Sequence, residues 1–399
     1  MSKTKSKPIN QQGFIPLSVP EISGNEWKYI KECLDTNWVS SAGQFVESFQ
    51  EKVARFAERK YSVACVNGTS ALHIALLLAG VKANEEIIIP AVTFVATANA
   101  VRYAGAWPAF IDLDPSVWQM DTEKLLDFLT KECKYRNGKL INKNTKRTIK
   151  AIMPVDMLGH PSDMDTILKI ARKFSLKVIE DAAEGLGSLY KDKPVGAKGD
   201  IAVFSFNGNK IITTGGGGMI LTNKKAWALR ASYLITQARS NVLENIHDEV
   251  GYNYRLTNIQ SAMGLAQMEK ISEFVERKRK IAARYNEQLR PVQGIIIPKQ
   301  AEWAESNYWL YTIFVNKAKY GMDSRKLLKA LWRRKIQTRP LWHPLYRLKP
   351  FASCFAYKIK VADRLYKNCL SLPSSVGLGR KEQNKVIKAI KDLAKHKLN

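Results

Sequence analysis

Between residues 61 and 221 short apolar runs, rich in β-branched residues, alternate with segments of helical periodicity. The strand-like runs fall at 61–66, 86–90, 107–112, 149–154, 176–179, 201–206 and 219–221. Strands joined by helix-length crossovers pair in parallel, and a parallel sheet has to be covered on both faces. The expectation is a large α/β domain around a mostly parallel sheet, with ligands bound beyond the carboxyl ends of its strands. At 399 residues and 45% hydrophobic composition the chain can also build a second core. The expected division is a disordered basic tail at 1–13, the large domain at 14–268, and a linker helix with a small α+β domain at 269–399.

The stretch 178–222 carries the most chemistry. An apolar run ends in Glu180-Asp181, a second ends at Phe206, the turn Asn207-Gly208-Asn209 presents Lys210, and Thr213-Thr214 precede four glycines and a third apolar run. A lysine at a buried sheet edge loses its proton more readily than a solvated one, because desolvation disfavours the charge. The neutral amine condenses with aldehydes. Pyridoxal phosphate offers such an aldehyde and requires a carboxylate at its ring nitrogen, a role open to Asp181. Upstream, the run 61–66 is followed by Asn67-Gly68-Thr69-Ser70 and an apolar helix from Ala71. A glycine turn with two hydroxyls at a helix start is an anion-binding arrangement, and equally an ordinary helix cap. Beside Lys210 it becomes a phosphate cradle, with Ser205 as a third hydroxyl.

These residues resemble the cofactor region of the DegT/DnrJ/EryC1/StrS nucleotide-sugar aminotransferases. The family pattern is E-D-A-A-x-x-x-G, G-D-x-x-x-F-S-F, a lysine, and T-x-G-x-G-G. The chain supplies Glu180 to Ala183, Gly199-Asp200, Phe204-Ser205-Phe206, Lys210 and Thr214 to Gly218. It departs at Gly216, where the family often has Glu, and at Glu184, where many members have Gln. The resemblance implies an aspartate-aminotransferase-like fold and pyridoxal 5′-phosphate as cofactor. It makes Lys210 the catalytic amine and places Gly68, Thr69, Ser70, Asp181, Glu184 and Ser205 at the cofactor. Phe94 is expected to stack on the ring. Asn253, in the segment GYNYRLTN, is expected to reach the cofactor phosphate of a neighbouring subunit, which implies a homodimer with shared sites. Trp38 and Ser40 match a loop near the sugar nucleotide, and Arg339 and His343 a segment at the substrate mouth. Arg255 serves either an anionic substrate or an acidic partner. His160 reads as structural.

The net charge of +27 is spread along the chain, concentrated at 131–150 and in the last third, with no nucleic-acid motif beside it. Residues 131–147 read as an inserted surface loop, without the interleaved aromatics that stack bases. A solvated basic surface favouring anionic substrates is the preferred reading, with no nucleic-acid partner. No apolar run reaches the length of a membrane span. Five scattered cysteines without a C-x-x-C pair suit a reducing cytoplasm and argue against a metal site.

The resemblance therefore implies transfer of the amino group of glutamate to the keto carbon, C4, of a nucleotide-linked 4-keto-6-deoxy sugar. The FSFNGNK turn and the insertion at 131–147 are similar to members acting on the UDP-linked N-acetylglucosamine derivative, of the bacillosamine and legionaminic acid type. The GDP-linked, perosamine-type substrate is the alternative. Sugar dehydratases of the family carry histidine in place of the lysine, so Lys210 argues against them. A reading from another class is a non-catalytic basic protein that binds polyanions on the same scaffold.

Overall fold

The structure, a computed structural model, describes residues 13–241 and 243–395. The expected tail lies outside the described residues except for Gly13. Seven strands build the main sheet: β1 Tyr61–Cys65, β2 Glu86–Pro90, β3 Trp107–Ile111, β4 Ile149–Ile152, β5 Lys177–Asp181, β6 Ile201–Ser205 and β7 Gly218–Thr222. Their order is β1-β7-β6-β5-β4-β2-β3, and the short strand Ala356–Tyr357 extends the sheet beyond β3. β7 runs antiparallel to both neighbours, and every other pairing is parallel. The expected mostly parallel α/β sheet is therefore present. β7 is reversed because the segment 206–217 returns from β6 without a crossover helix. That return loop carries Lys210.

β2 and β7 are buried at every residue, as strands covered on both faces must be. The helix Gly68–Leu78 is buried on nearly all sides, which fits its almost uniformly apolar sequence. A second core forms around Tyr285, Tyr311, Ile313, Leu327, Leu370 and Ile390. Its sheet joins Ile295–Ile296, Tyr311–Val315, Cys369–Leu372 and Arg339–Pro340. The two cores are interleaved along the chain. Ile15 packs into the second core, whereas Trp309, Leu341 and Phe351 pack into the first.

One local expectation changes. The segment 131–147 is a β-hairpin, Cys133–Arg136 with Lys139–Asn142, rather than a loop. Its Asn142 is fully buried and donates to Glu86 Oε2 at 2.9 Å, so the hairpin is tied to the amino-terminal end of β2. The first helix, Glu26–Asp35, follows Asn25 and has no side-chain cap. The helix Lys225–Ile235 is followed by Arg239–Asn241, which pairs with Ile246–His247. Cys369–Leu372 is a central strand, paired with both Tyr311–Val315 and Arg339–Pro340.

One buried clip fixes the strand that carries Asp181. Glu180 accepts hydrogen bonds from the Gly196 and Gly199 N–H groups at 2.8 and 3.3 Å. Buried Arg59 donates Nε and Nη2 to the carbonyls of the same two glycines, at 2.5 and 2.6 Å. Truncating Arg59 leaves two buried acceptors unpaired and a buried carboxylate without its nearest cation. Arg59→Met is expected to lower the unfolding free energy by about 2–4 kcal/mol, measured by urea denaturation.

Candidate active site

At the carboxyl edge of the sheet lies a cavity of about 720 Å³, within the range that holds a cofactor-sized ligand. Five of the seven strands contribute a wall. After β1 come Asn67, Gly68 and Thr69; after β2, Thr93, Phe94 and Thr97; after β4, Val155 and Leu158. β5 ends in Asp181 and is followed by Glu184, and β6 ends in Ser205 ahead of Lys210. The carboxyl-terminal part of the chain closes the cavity with Trp309, Arg339, Trp342, His343 and Tyr366.

The helix Gly68–Leu78 points its amino end into this space. Asn67, and not Thr69 or Ser70, is its cap, and the Asn67 side chain accepts from Ser70 N–H. The remaining first-turn N–H groups, those of Gly68 and Thr69, face the cavity edge with no intrahelical acceptor to reach. A Cβ at position 68 would lie 3.0 Å from Ser205 Cβ and 3.3 Å from its Oγ, so glycine keeps the cradle between helix and β6 open. Such a site suits a phosphate.

Asp181 is 3% exposed. Thr97 Oγ1 donates to its Oδ2 at 2.7 Å, and Ala183 N–H to its Oδ1 at 3.3 Å. Burial raises its pKa, while the Thr97 hydroxyl, the Ala183 N–H and the Lys210 charge oppose that rise. Lys210 Nζ lies 3.6 Å from Glu184 Oε1, and burial pushes its pKa below the ordinary lysine value. Burial pushes Glu184 up to about 7 against the pull of Lys210. The other oxygen of Glu184 accepts from Leu158 N–H at 2.8 Å. Leu158 is held at φ +62, an unfavourable backbone for a branched residue, and that strained turn aims its N–H at the carboxylate. The group is an amine of lowered pKa between two buried carboxyls, at the edge of an anion cradle.

The structure thus brings together Lys210, Asp181, Glu184, Gly68, Thr69, Ser205, Phe94, Arg339 and His343 in one cavity. Phe94 is half exposed there. Ser70 is buried and does not line the cavity. Trp38, Ser40, Asn253 and Arg255 also lie outside the cavity of a single chain. Asn253 is exposed and bridges to Thr236, and Arg255 bridges to Cys65. His160 is structural: its ring takes Ala301 N–H on Nε2 and meets the Pro161 carbonyl through Nδ1. Thr97, Asn67 and Trp309 escaped the sequence reading. Thr97 sits on the helical face three residues after Phe94, a spacing that could have revealed it. Nothing near Trp309 in sequence points to Lys210.

The DegT/DnrJ/EryC1/StrS aminotransferase family model matches residues 20–391. GDP-perosamine synthase of Caulobacter vibrioides is 38% identical over 379 residues, which cover 94% of this chain and 97% of the relative. EpsN of Bacillus subtilis, whose name places it among the pyridoxal phosphate-dependent aminotransferases, is 38% identical over 94% of this chain and 95% of its own. The crystal structure of DesI in the presence of its TDP-sugar product superposes with a TM-score of 0.86 at 25% identity, covering 97% of this chain and 94% of that one. The chain belongs to the DegT/DnrJ/EryC1/StrS aminotransferase family. It is an aminotransferase of sugars, and its cofactor is pyridoxal phosphate.

Glu184 offers a test of these electrostatics in the ligand-free chain. Its folded pKa is raised above the ordinary 4.5, so the folded state holds the proton more tightly and this stabilisation is lost as pH rises through about 7. Glu184→Gln keeps the shape and cannot titrate. Between pH 5 and pH 8 the difference in unfolding free energy should move in favour of the variant by up to about 3 kcal/mol, followed by denaturant titration at each pH.

Proposed function

We propose that the enzyme transfers the amino group of glutamate to C4 of a GDP-linked 4-keto-6-deoxy sugar. The observation that carries the sugar assignment is the run of relatives named GDP-perosamine synthase. Those of Caulobacter vibrioides, Escherichia coli O157:H7 and Vibrio cholerae are 38, 37 and 32% identical, each aligned over more than nine-tenths of this chain. They favour the GDP-linked substrate over the UDP-linked one that the insertion suggested. The insertion also loses its weight on structural grounds, because the hairpin sits at the amino-terminal end of the sheet, away from the cavity.

Pyridoxal phosphate, when bound, supplies the electron sink that lets a proton leave the carbon bearing the amine. The residues present fit it. Gly68, Thr69 and Ser205 would hold the phosphate, Asp181 the ring nitrogen, Phe94 a ring face and Glu184 the ring hydroxyl. The buried Asp181 carboxylate lacks a permanent counter-charge, and a protonated ring nitrogen would provide one. Lys210 would be the covalent anchor and the base: its lowered pKa leaves the released amine neutral near neutral pH and free to take the proton from the carbon bearing the amine, and the ammonium so formed would serve as the acid that gives it back. The Thr97 hydroxyl holds Asp181 in register during both half-reactions.

The working unit in this reading is a homodimer. Trp27, Trp38, Leu243 and Val250 are large apolar side chains exposed on one chain, at 82, 57, 94 and 81%, which suits an interface. A partner would bring Asn253 to the neighbouring phosphate cradle, and Trp38, Ser40 and Arg255 to the nucleotide side. No helix among the described residues is long and apolar enough to cross a membrane. Nucleotide-sugar and glutamate substrates place the reaction in the cytoplasm.

The test presents the purified holoenzyme and glutamate with GDP-4-keto-6-deoxymannose or with UDP-4-keto-6-deoxy-N-acetylglucosamine, and follows the amino sugar by mass spectrometry. The GDP-linked ketone is expected to react with kcat/KM at least ~10²-fold higher. Preference for the UDP-linked ketone would reverse the assignment. Asp181→Asn is expected to cut kcat for both half-reactions by at least ~10²-fold.

A further inference from the structure

Trp309 belongs to the carboxyl-terminal part of the chain and is 4% exposed. It is held on every side. Its N–H donates to Asn307 Oδ1 at 2.7 Å, its carbonyl accepts from Lys278 Nζ at 2.7 Å, and its ring stacks on Trp342 with 9° between the planes. Its indole N–H donates to the carbonyl of Asn209, the residue before Lys210, at 2.7 Å. Asn307 in turn donates its amide to the carbonyls of Glu184 and Leu186, both at 2.8 Å. Gly159, at φ +88, admits Asn307; a Cβ there would lie 1.8 Å from Asn307 Oδ1. The net effect is a ring face fixed 3.9 Å from Lys210 Nζ.

We propose that Trp309 is the positioning residue of the reactive lysine: its ring face holds the ammonium form of Lys210 by cation–π attraction while its indole N–H fixes the turn that presents the amine. The proposal rests on the reading of Lys210 as the reactive amine. An aromatic face attracts a cation most strongly where water is excluded, and Lys210 is in such a place. The charged and titratable groups facing Lys210 are Asp181 and Glu184, with Arg339, His343 and Tyr366 across the same cavity. Asp181 and Glu184 favour the charged amine and burial opposes it. Glu184 gives up its support as it protonates below about 7. Trp309 does not titrate, so its support persists at every pH and keeps the lysine able to act as the acid after it has collected a proton. The contact also makes the amine's orientation depend on the carboxyl-terminal part of the chain, through Lys278 and Asn307.

Fluorination separates this role from packing, because each fluorine weakens the ring's negative face at nearly constant volume. Mono-, di- and trifluorotryptophan are placed at position 309 of the full chain without added cofactor. The rate at which acetic anhydride labels Lys210 is followed against pH by peptide mass spectrometry. The labelling midpoint is expected to fall stepwise, by about one pH unit across the series. A flat series, or a midpoint that rises, overturns the proposal. The visible chromophore formed with pyridoxal phosphate is recorded for the wild type and for Lys210→Ala. If Lys210→Ala retains it, the reading of Lys210 falls and the proposal with it; if Lys210→Ala loses it and the series is flat, only the role of Trp309 falls.

Discussion

An amine and two carboxyls, taken out of water with no permanent counter-charge beyond one another, set the terms for the rest of this structure. Burying such groups is costly unless they are paired or hydrogen-bonded. The chain meets that demand from several elements at once. Thr97 and the Ala183 N–H serve Asp181, the strained turn at Leu158 serves Glu184, and Glu184 and the Trp309 ring serve Lys210. What remains unmet is a positive charge opposite Asp181 and an anion at the helix end of Gly68–Leu78. Those are complementary to the two ends of one cofactor, a pyridinium and a phosphate.

The sheet makes this concentration possible. Parallel strands deliver their carboxyl ends to one edge, and the reversal of β7 turns the β6–β7 connection back across that edge. Lys210 therefore arrives beside Asp181 from a neighbouring strand, on a loop whose Thr213 and Thr214 hydroxyls bond its own carbonyls instead of reaching the cavity. The Arg59–Glu180 clip lies one residue from Asp181 and holds its strand in register with the loop at 196–199. The two cores are coupled through the same edge, because Trp309, Leu341 and the strand Ala356–Tyr357 return from the carboxyl-terminal part into the first.

The parts legible in the sequence were those set by local pattern. The strand runs, the Asn-Gly-Asn turn before Lys210 and the acid at the end of β5 all follow from periodicity and turn chemistry. Thr69 was legible from the glycine turn and hydroxyl pair between a strand and a helix, whereas Phe94 came from the family resemblance. The hairpin at 133–142 was not, since most of its residues are polar and exposed and only Cys133, Leu140 and Asn142 turn fully inward. Nor was Cys369–Leu372, where two long-range pairings decide the conformation. Thr97 and Trp309 lie far from Asp181 and Lys210 in sequence, and only tertiary packing joins them. Trp38, Ser40 and Arg255, expected on the substrate side, and Asn253, expected at a neighbouring subunit's cofactor phosphate, stand outside one chain's cavity; in the proposed homodimer a partner would supply the surface they face.

The proposed role of Lys210 as the amine that holds the cofactor has one direct test. Reducing the holoenzyme with borohydride fixes pyridoxal phosphate to the lysine that carries it, and peptide mass spectrometry identifies that residue. One phosphopyridoxyl group per chain, on Lys210, is the expected result. Its recovery on any other lysine, with Lys210 unmodified, would overturn the assignment.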